Sequence, residues 1–275
     1  MSENDLVQGS AAWLAWRQQG CGASEVAAIM GLSPYQTKLG VFLDKSGRAK
    51  AFEGNLATMR GNELEAKARS LYELENMDTM NPAVAVHPLW PFIRASLDGI
   101  SADGKTILEI KVPSQETHDK AKQGIVPEHY QIQIQTQLLV TGADTCHFFT
   151  YSPKDDSSAL VVVKPDMEMQ IRIVTEVTEF WLENVKKDVA PPHTERDVMD
   201  FDGNAEMEAL VETFLAMKDN LDKKGLDEAK ALLMKAAGHP KMKCGRVKLT
   251  AVSRNGKFSY HKLTLVEEGL DQTGS

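Results

Sequence analysis

Asp98, Glu109 and Lys111 have types and a spacing that could do chemistry together. Glu109 and Lys111 stand two apart in Thr106-Ile-Leu-Glu-Ile-Lys-Val112, a run of alternating charged and branched residues. A strand there puts both side chains on one face. Asp98 ends the preceding strand-like run, and a turn at Asp103-Gly104 would fold the two runs into a hairpin that carries Asp98 towards that face. Two converging carboxylates suit Mg2+, a hard ion that prefers oxygen ligands and keeps several of its waters. A lysine beside them can stabilise an activated water or the charge that builds on a phosphate. A plainer alternative stays open, because any half-exposed strand alternates charged residues with Ile or Leu.

The same stretch holds a competing pattern. Gly99-Ile-Ser-Ala-Asp-Gly104-Lys105-Thr106 matches GxxxxGK[ST], but a phosphate loop leads from a strand into a helix whose N-terminal amides hold the phosphates. Here Ile107–Val112 reads as a strand, so the pattern is expected to be a turn and an ATP-dependent reaction is the weakest candidate.

Elements must position these residues. Residues 10–19 read as a short helix capped by Ser10 and ended by Gly20, and Ser24 is expected to cap a second over Glu25–Met30. Residues 56–76 form a long amphipathic pattern. Strands are expected at Val84–His87, Ile93–Ile100, Thr106–Val112, His147–Tyr151 and Ala159–Lys164, with helices at Glu128–Thr141 and Met167–Lys187. The order predicts an α/β fold, a mixed central β-sheet flanked by helices. Pro191-Pro192 opens an acidic, turn-rich stretch. Beyond it come a helix striped by Leu210, Phe214, Met217 and Leu221, a second at Asp227–Ala237, and a β-hairpin, Val247–Val252 and Phe258–Leu263, around Arg254-Asn255-Gly256. The expected organisation is a core over 1–190, a linker over 191–203 and a C-terminal appendage over 204–275.

Composition narrows the classes. Of 275 residues, 42% are hydrophobic and 25% charged, the balance of a globular chain with a core. No apolar run approaches the roughly 20 residues that cross a bilayer, and the acidic N-terminus lacks a secretory signal, so no membrane partner is expected. Cys21, Cys146 and Cys244 lie far apart, which argues against disulfides or a zinc cluster and suits a reducing cytoplasm. The net charge is −8, yet Lys230 to Lys262 carries nine Lys or Arg and no Asp or Glu. Screening makes such local patches matter more than the total, so acidity does not exclude nucleic acid.

Six motifs in order carry a resemblance. Trp16-Arg17, Gly22-Ala-Ser-Glu25, Arg60-Gly-Asn-Glu-Leu-Glu65, Ser96-Leu-Asp-Gly99, Leu108-Glu-Ile-Lys111 and Tyr130-Gln-Ile-Gln-Ile-Gln135, which leads to Val140-Thr-Gly142, resemble the YqaJ-type viral recombinases. This is the lambda exonuclease-like family of the PD-(D/E)xK nuclease superfamily, and the likeness spans about residues 10 to 185. It implies a restriction-endonuclease-like nuclease core that digests linear double-stranded DNA in the 5′-to-3′ direction to 5′-mononucleotides. Asp98, Glu109 and the backbone carbonyl of Ile110 would hold Mg2+, with Mn2+ as a substitute, and Lys111 would position the attacking water. Glu65 would be a further acidic member, with Glu63 an alternative bearer of that role. Gln133 or Gln135 would contact the site from its helix. Arg17 and Ser24 would hold the DNA 5′-phosphate. The resemblance also implies a homo-oligomer, a ring-shaped trimer, which passes the 3′ strand to a single-strand annealing recombinase in the cytoplasm of a phage-carrying bacterium. An endonuclease of the same superfamily and a non-catalytic DNA-binding accessory are the rivals.

In the appendage, Lys241, Lys243, Arg246, Lys248, Arg254 and Lys257 could contact DNA phosphate, with Phe258 and Tyr260 for stacking. Lysines that guard a hairpin's edges are the plainer reading. Leu210, Phe214 and Met217 could instead dock a partner or a second subunit.

Overall fold

In the computed structural model, which describes residues 6, 8–49, 56–77, 79–254 and 256–266, the chain divides into two compact units after Pro191. The side chains of Arg60 and Glu63, and residue Asn255, lie outside what is described.

Six strands make the sheet of the first unit: β1 (Cys21–Gly22), β2 (Asn81–Val86), β3 (Ile93–Ile100), β4 (Thr106–Lys111), β5 (Thr145–Ser152) and β6 (Ser157–Val163). β3 pairs antiparallel with β2 along one edge. Arg94 pairs with both Val86 and Gly22, and Ile100 with both Asn81 and Ile107. The other edge of β3 therefore takes β1 at its start and β4 at its end, with residues 95–98 between them. β4 runs parallel to β5 from Thr106–Thr145 to Lys111–Thr150, and β6 returns antiparallel. The sheet is mixed, as the order of elements predicts.

The helices are α1 (Ala11–Arg17), α2 (Ala23–Ile29), α3 (Lys38–Lys45), α4 (Leu56–Asn76), α5 (Gln115–Lys122), α6 (Glu128–Thr141) and α7 (Met167–Glu179), which continues as a π-helical turn, Phe180–Val185. Strand alternation sorts them onto two faces. Ile107, Phe148 and Leu97 pack with Val26 of α2, Ile132 of α6 and Ile173 of α7, whereas Leu108, Ile110 and Phe149 pack with Ala68 and Tyr72 of α4. Each fully buried aliphatic or aromatic side chain contributes about 1.5–3 kcal/mol. By the same alternation, Glu109 and Lys111 share the Ile107 face, under α6. The GxxxxGK[ST] pattern lies on the β3–β4 turn, where Gly104 takes φ +71° and Asp103 accepts from Lys105 N–H and Ser101 Oγ–H.

The second unit has strands β7 (Met199–Asp200), β8 (Lys241–Cys244), β9 (Val247–Arg254) and β10 (Lys257–Leu265), ordered β10-β9-β8-β7. Helices α8 (Ala205–Met217) and α9 (Lys223–Ala237) place Met207, Val211, Phe214, Leu233 and Met234 on Met242, Cys244, Val247 and Leu249. Two expectations change. The stretch read as a linker joins the sheet, because Met199–Asp200 pair parallel with β8. The buried stripe of α8 is Met207, Val211 and Phe214, while Leu210 and Met217 are 46% and 50% exposed. All three cysteines are buried and unpaired. Among the described residues no helix is long and apolar enough to cross a membrane.

Candidate active site

Pairing between β3 and β4 stops at Gly99–Leu108. Beyond it the Ile110 N–H donates to Asp98 Oδ2 at 2.7 Å, so a side-chain carboxylate stands where a ladder carbonyl would otherwise accept. A polar cavity of about 170 Å³ opens at this fork and is lined by Arg17, Ser24, Ser96, Asp98, Glu109, Lys111 and Gln133. Gly99 fixes the strand beside it: a Cβ there would lie 2.4 Å from Met80 Cβ.

Glu109 is 1% exposed and held from two sides. Gln133 Nε2 donates to its Oε1 at 2.7 Å and Gln137 Nε2 to its Oε2 at 2.5 Å, from positions i and i+4 on one face of α6. Lys111 Nζ forms an ion pair with Oε1. Burial, and then the neighbouring Glu109 carboxylate, push the Asp98 pKa up to about 8. Burial alone would lower the Lys111 pKa, but Glu109 and Asp98 outweigh it and hold the ammonium above its ordinary range, so Lys111 stays charged.

Glu65 sits on α4, which covers the opposite face of the sheet. It interacts electrostatically with Lys111, Glu109 and Asp98, and burial raises its pKa. Among the described residues no three His, Cys, Asp or Glu side chains converge as a ligand cluster, so Asp98 and Glu109 are a pair with Glu65 standing off. Two facing carboxylates, one with its pKa raised by the other, are a donor set that fits a Mg2+ ion retaining most of its waters.

Arg17 reaches the cavity from α1, which Ser10 caps by accepting from Trp13 N–H at 3.2 Å. Trp13 Nε1 donates to Ser96 Oγ at 2.9 Å and Arg94 Nη1 to Trp16 O at 2.8 Å, which pins α1 to β3. The guanidinium of Arg17 lies 4.8 Å from the Trp13 ring centroid and donates from Nη2 to Glu25 Oε1 at 2.7 Å. Lys45 Nζ, fully buried, donates to Glu25 Oε1 at 2.9 Å and to Arg17 O at 3.0 Å. Two cations on one buried carboxylate leave a net positive charge behind the cavity.

Two expectations are corrected. Ser24 does not cap α2, which begins at Ala23 with Gly22 as its N-cap; Glu25 Oε2 accepts from Gly22 N–H at 2.8 Å, and Ser24 faces the cavity. Gln135 does not reach the site, because its Nε2 donates to Lys164 O at 2.7 Å and its Oε1 accepts from Asp166 N–H at 2.8 Å. Gln133, Asp98, Glu109, Lys111, Arg17 and Ser24 are brought together. The sequence reading missed Gln137, signalled by its four-residue step from Gln133, and Lys45, which shares the apolar face of a helix not foreseen.

The profile of the YqaJ-like viral recombinase domain matches residues 12–144. The chain is 28% identical over 183 residues to the uncharacterized protein YqaJ of Bacillus subtilis, which covers 65% of this chain and 57% of that protein. It is 32% identical over 155 residues to the uncharacterized protein R354 of Acanthamoeba polyphaga mimivirus, covering 51% of this chain and 28% of that one. The chain thus spans little over half of one curated relative and under a third of the other. Among solved structures it resembles the alkaline exonuclease LHK-Exo of Laribacter hongkongensis, at 29% identity and a TM-score of 0.57, over 66% of this chain and 94% of that one. The complex of LHK-Exo with dAMP matches over the same shares at 28% identity, also with a TM-score of 0.57. Over residues 12–144, just under half of its length, this chain is thus similar to the YqaJ-like viral recombinase domain.

Proposed function

We propose that this protein is a Mg2+-dependent deoxyribonuclease that digests linear double-stranded DNA from its 5′ ends, releasing 5′-mononucleotides and leaving a 3′ single strand. One observation carries the reading: a single cavity is lined by a guanidinium and a hydroxyl suited to a terminal phosphate, Arg17 and Ser24, and by Asp98, Glu109 and Lys111. The likeness to an alkaline exonuclease, solved also with a deoxynucleoside monophosphate, supports it.

Asp98, Glu109 and the Ile110 carbonyl would hold Mg2+, or Mn2+ in its place, which when bound supplies a Lewis acid at the scissile phosphate. Glu109, gripped by Gln133 and Gln137, keeps its two oxygens in fixed positions and does not reorganise during turnover. Lys111 donates a hydrogen bond to the attacking water, and its charge offsets the negative charge that builds on the phosphate oxygens. Glu65 adds negative potential to the Asp98–Glu109 pair from α4. Arg17 has five guanidinium N–H donors, of which one on Nη2 is spent on Glu25; the remainder of the fork and the Ser24 hydroxyl hold the terminal 5′-phosphate and set which bond meets the water.

A homo-oligomer, a trimer enclosing DNA, would explain how a chain of net charge −8 stays on a polyanion; a monomer in light scattering would refute it. The 3′ strand would pass to an annealing recombinase in a phage or prophage setting. The test is digestion with Mg2+ of internally labelled duplex in three forms: 5′-phosphorylated linear, 5′-hydroxyl linear and closed circular. Acid-soluble label from linear DNA alone, faster with the 5′-phosphate, is the expected result. Cleavage of the circle would replace the reading with an endonuclease. Duplex ends bound but uncut would replace it with a recombination accessory.

A further inference from the structure

Residues 241–265, which form β8, β9 and β10, carry seven Lys or Arg and no Asp or Glu. Register and burial sort them onto two faces. Met242, Cys244, Val247 and Leu249 point at α8 and α9. The pairs Lys248–Thr264, Thr250–Lys262 and Val252–Tyr260 therefore lie on the other face, with Lys241 opposite Thr250 and Lys243 opposite Lys248. Lys243 is engaged by Asp200 and Asp202. The charge of that face thus comes from Lys241, Lys248, Lys262 and, at the hairpin end, Arg254 opposite Lys257.

An aromatic ring stands within this charge. Tyr260 is 42% exposed, and the Arg254 guanidinium carbon lies 5.9 Å from its ring centroid. Phe258, 61% exposed, lies further towards the hairpin end. Lys248 to Arg254 spans roughly 20 Å of strand. A row of cations tracks a phosphate backbone, and a ring set among them offers a stacking surface that only an unpaired base can use, because a duplex keeps its base faces covered. We propose that this open sheet face is a binding platform for single-stranded DNA, with Tyr260 and Arg254 stacking a base and Lys248 and Lys262 pairing phosphates. The choice of DNA over RNA rests on the nuclease reading above; the platform itself does not.

The test uses the full chain in EDTA, so that binding is read whether or not the protein cleaves. Fluorescence anisotropy would follow a labelled oligothymidylate of about 30 nucleotides, a blunt duplex of equal length and an oligouridylate. Tyr260→Ala should weaken oligothymidylate binding at least about five-fold while moving duplex binding less than about two-fold, and Tyr260→Phe should restore it. Lys248→Ala with Lys262→Ala should flatten the salt dependence by about 1.4, at about 0.7 per lost phosphate contact. Unchanged thermal midpoints would verify folding, and the lysine pair, whose side chains stand off the core, provides a second reading if Tyr260→Ala misfolds. Equal losses for duplex and single strand, or no loss in either variant, would overturn the platform. Oligouridylate bound as tightly, with the same Tyr260 dependence, would overturn its assignment to DNA.

Discussion

Glu109 shows how much depends on the side chains behind a reactive group. Its two oxygens take amide donors from Gln133 and Gln137 and the Lys111 ammonium, in a place 1% exposed to solvent. Gln137→Ala should remove a donor from a buried carboxylate, cost about 1–3 kcal/mol in denaturant melts, and slow digestion at saturating DNA more than it weakens DNA binding. Glu25 poses the same problem without bonding to Asp98, Glu109 or Lys111. Burial would raise its pKa, but Lys45 and Arg17 outweigh this and hold it below the ordinary 4.5. A carboxylate with a depressed folded-state pKa stabilises above its unfolded pKa and loses that stabilisation as pH falls through the folded one. Glu25→Gln should therefore destabilise by about 3–5 kcal/mol near neutrality, because Lys45 stays buried without its partner, and should flatten the loss of stability below about pH 4.5. Denaturant melts across that range would show both.

At the scale of elements, the site exists because β3 shares one edge between β1 and β4 and leaves residues 95–98 open. Gly99→Ala would drive a methyl to 2.4 Å from Met80 Cβ and 3.3 Å from Leu108 Cβ, pushing β3 off its neighbours next to Asp98. We expect lower stability and a larger loss of digestion than of stability, read from melts and initial rates together. The strands that carry Asp98, Glu109 and Lys111 were legible because alternation and a turn residue mark them locally. α6 was legible as a helix but not as a face: Gln135 and Gln137 are buried, since Gln137 bonds to Glu109 of β4 and Ser96 of β3, and Gln135 to Lys164 and Asp166 just before α7. The four-residue step puts Gln137 beside Gln133, but nothing local says whether such a pair meets water or a carboxylate. α3 and β1 were missed for a related reason: a helix of eight residues and a strand of two are fixed by what they pack on, not by periodicity. Lys45 could not be picked out as buried before Glu25 was known to lie opposite it.

On the scale of the whole molecule, each of the two units has its own core, and charge is divided unevenly along the chain. Between Lys230 and Lys262 there are nine basic residues and no acidic one, which the net charge of −8 conceals. The carboxylate pair predicts how the whole chain responds to metal. Asp98 and Glu109 raise each other's energy when both are ionised, and a bound cation relieves that repulsion. Mg2+ should raise the melting temperature of the intact protein and EDTA should reverse the rise without unfolding it, whereas Asp98→Asn should abolish the shift.

The most direct measurement is the release of acid-soluble label from 5′-phosphorylated linear duplex in Mg2+ by the intact protein and by Lys111→Ala. The ammonium of Lys111 lines the cavity, pairs with Glu109 and takes no part in the hydrophobic core, so the variant should fold and bind duplex ends while digestion falls at least about a hundred-fold. Digestion by Lys111→Ala within two-fold of the intact protein would contradict a nuclease centred on Asp98, Glu109 and Lys111.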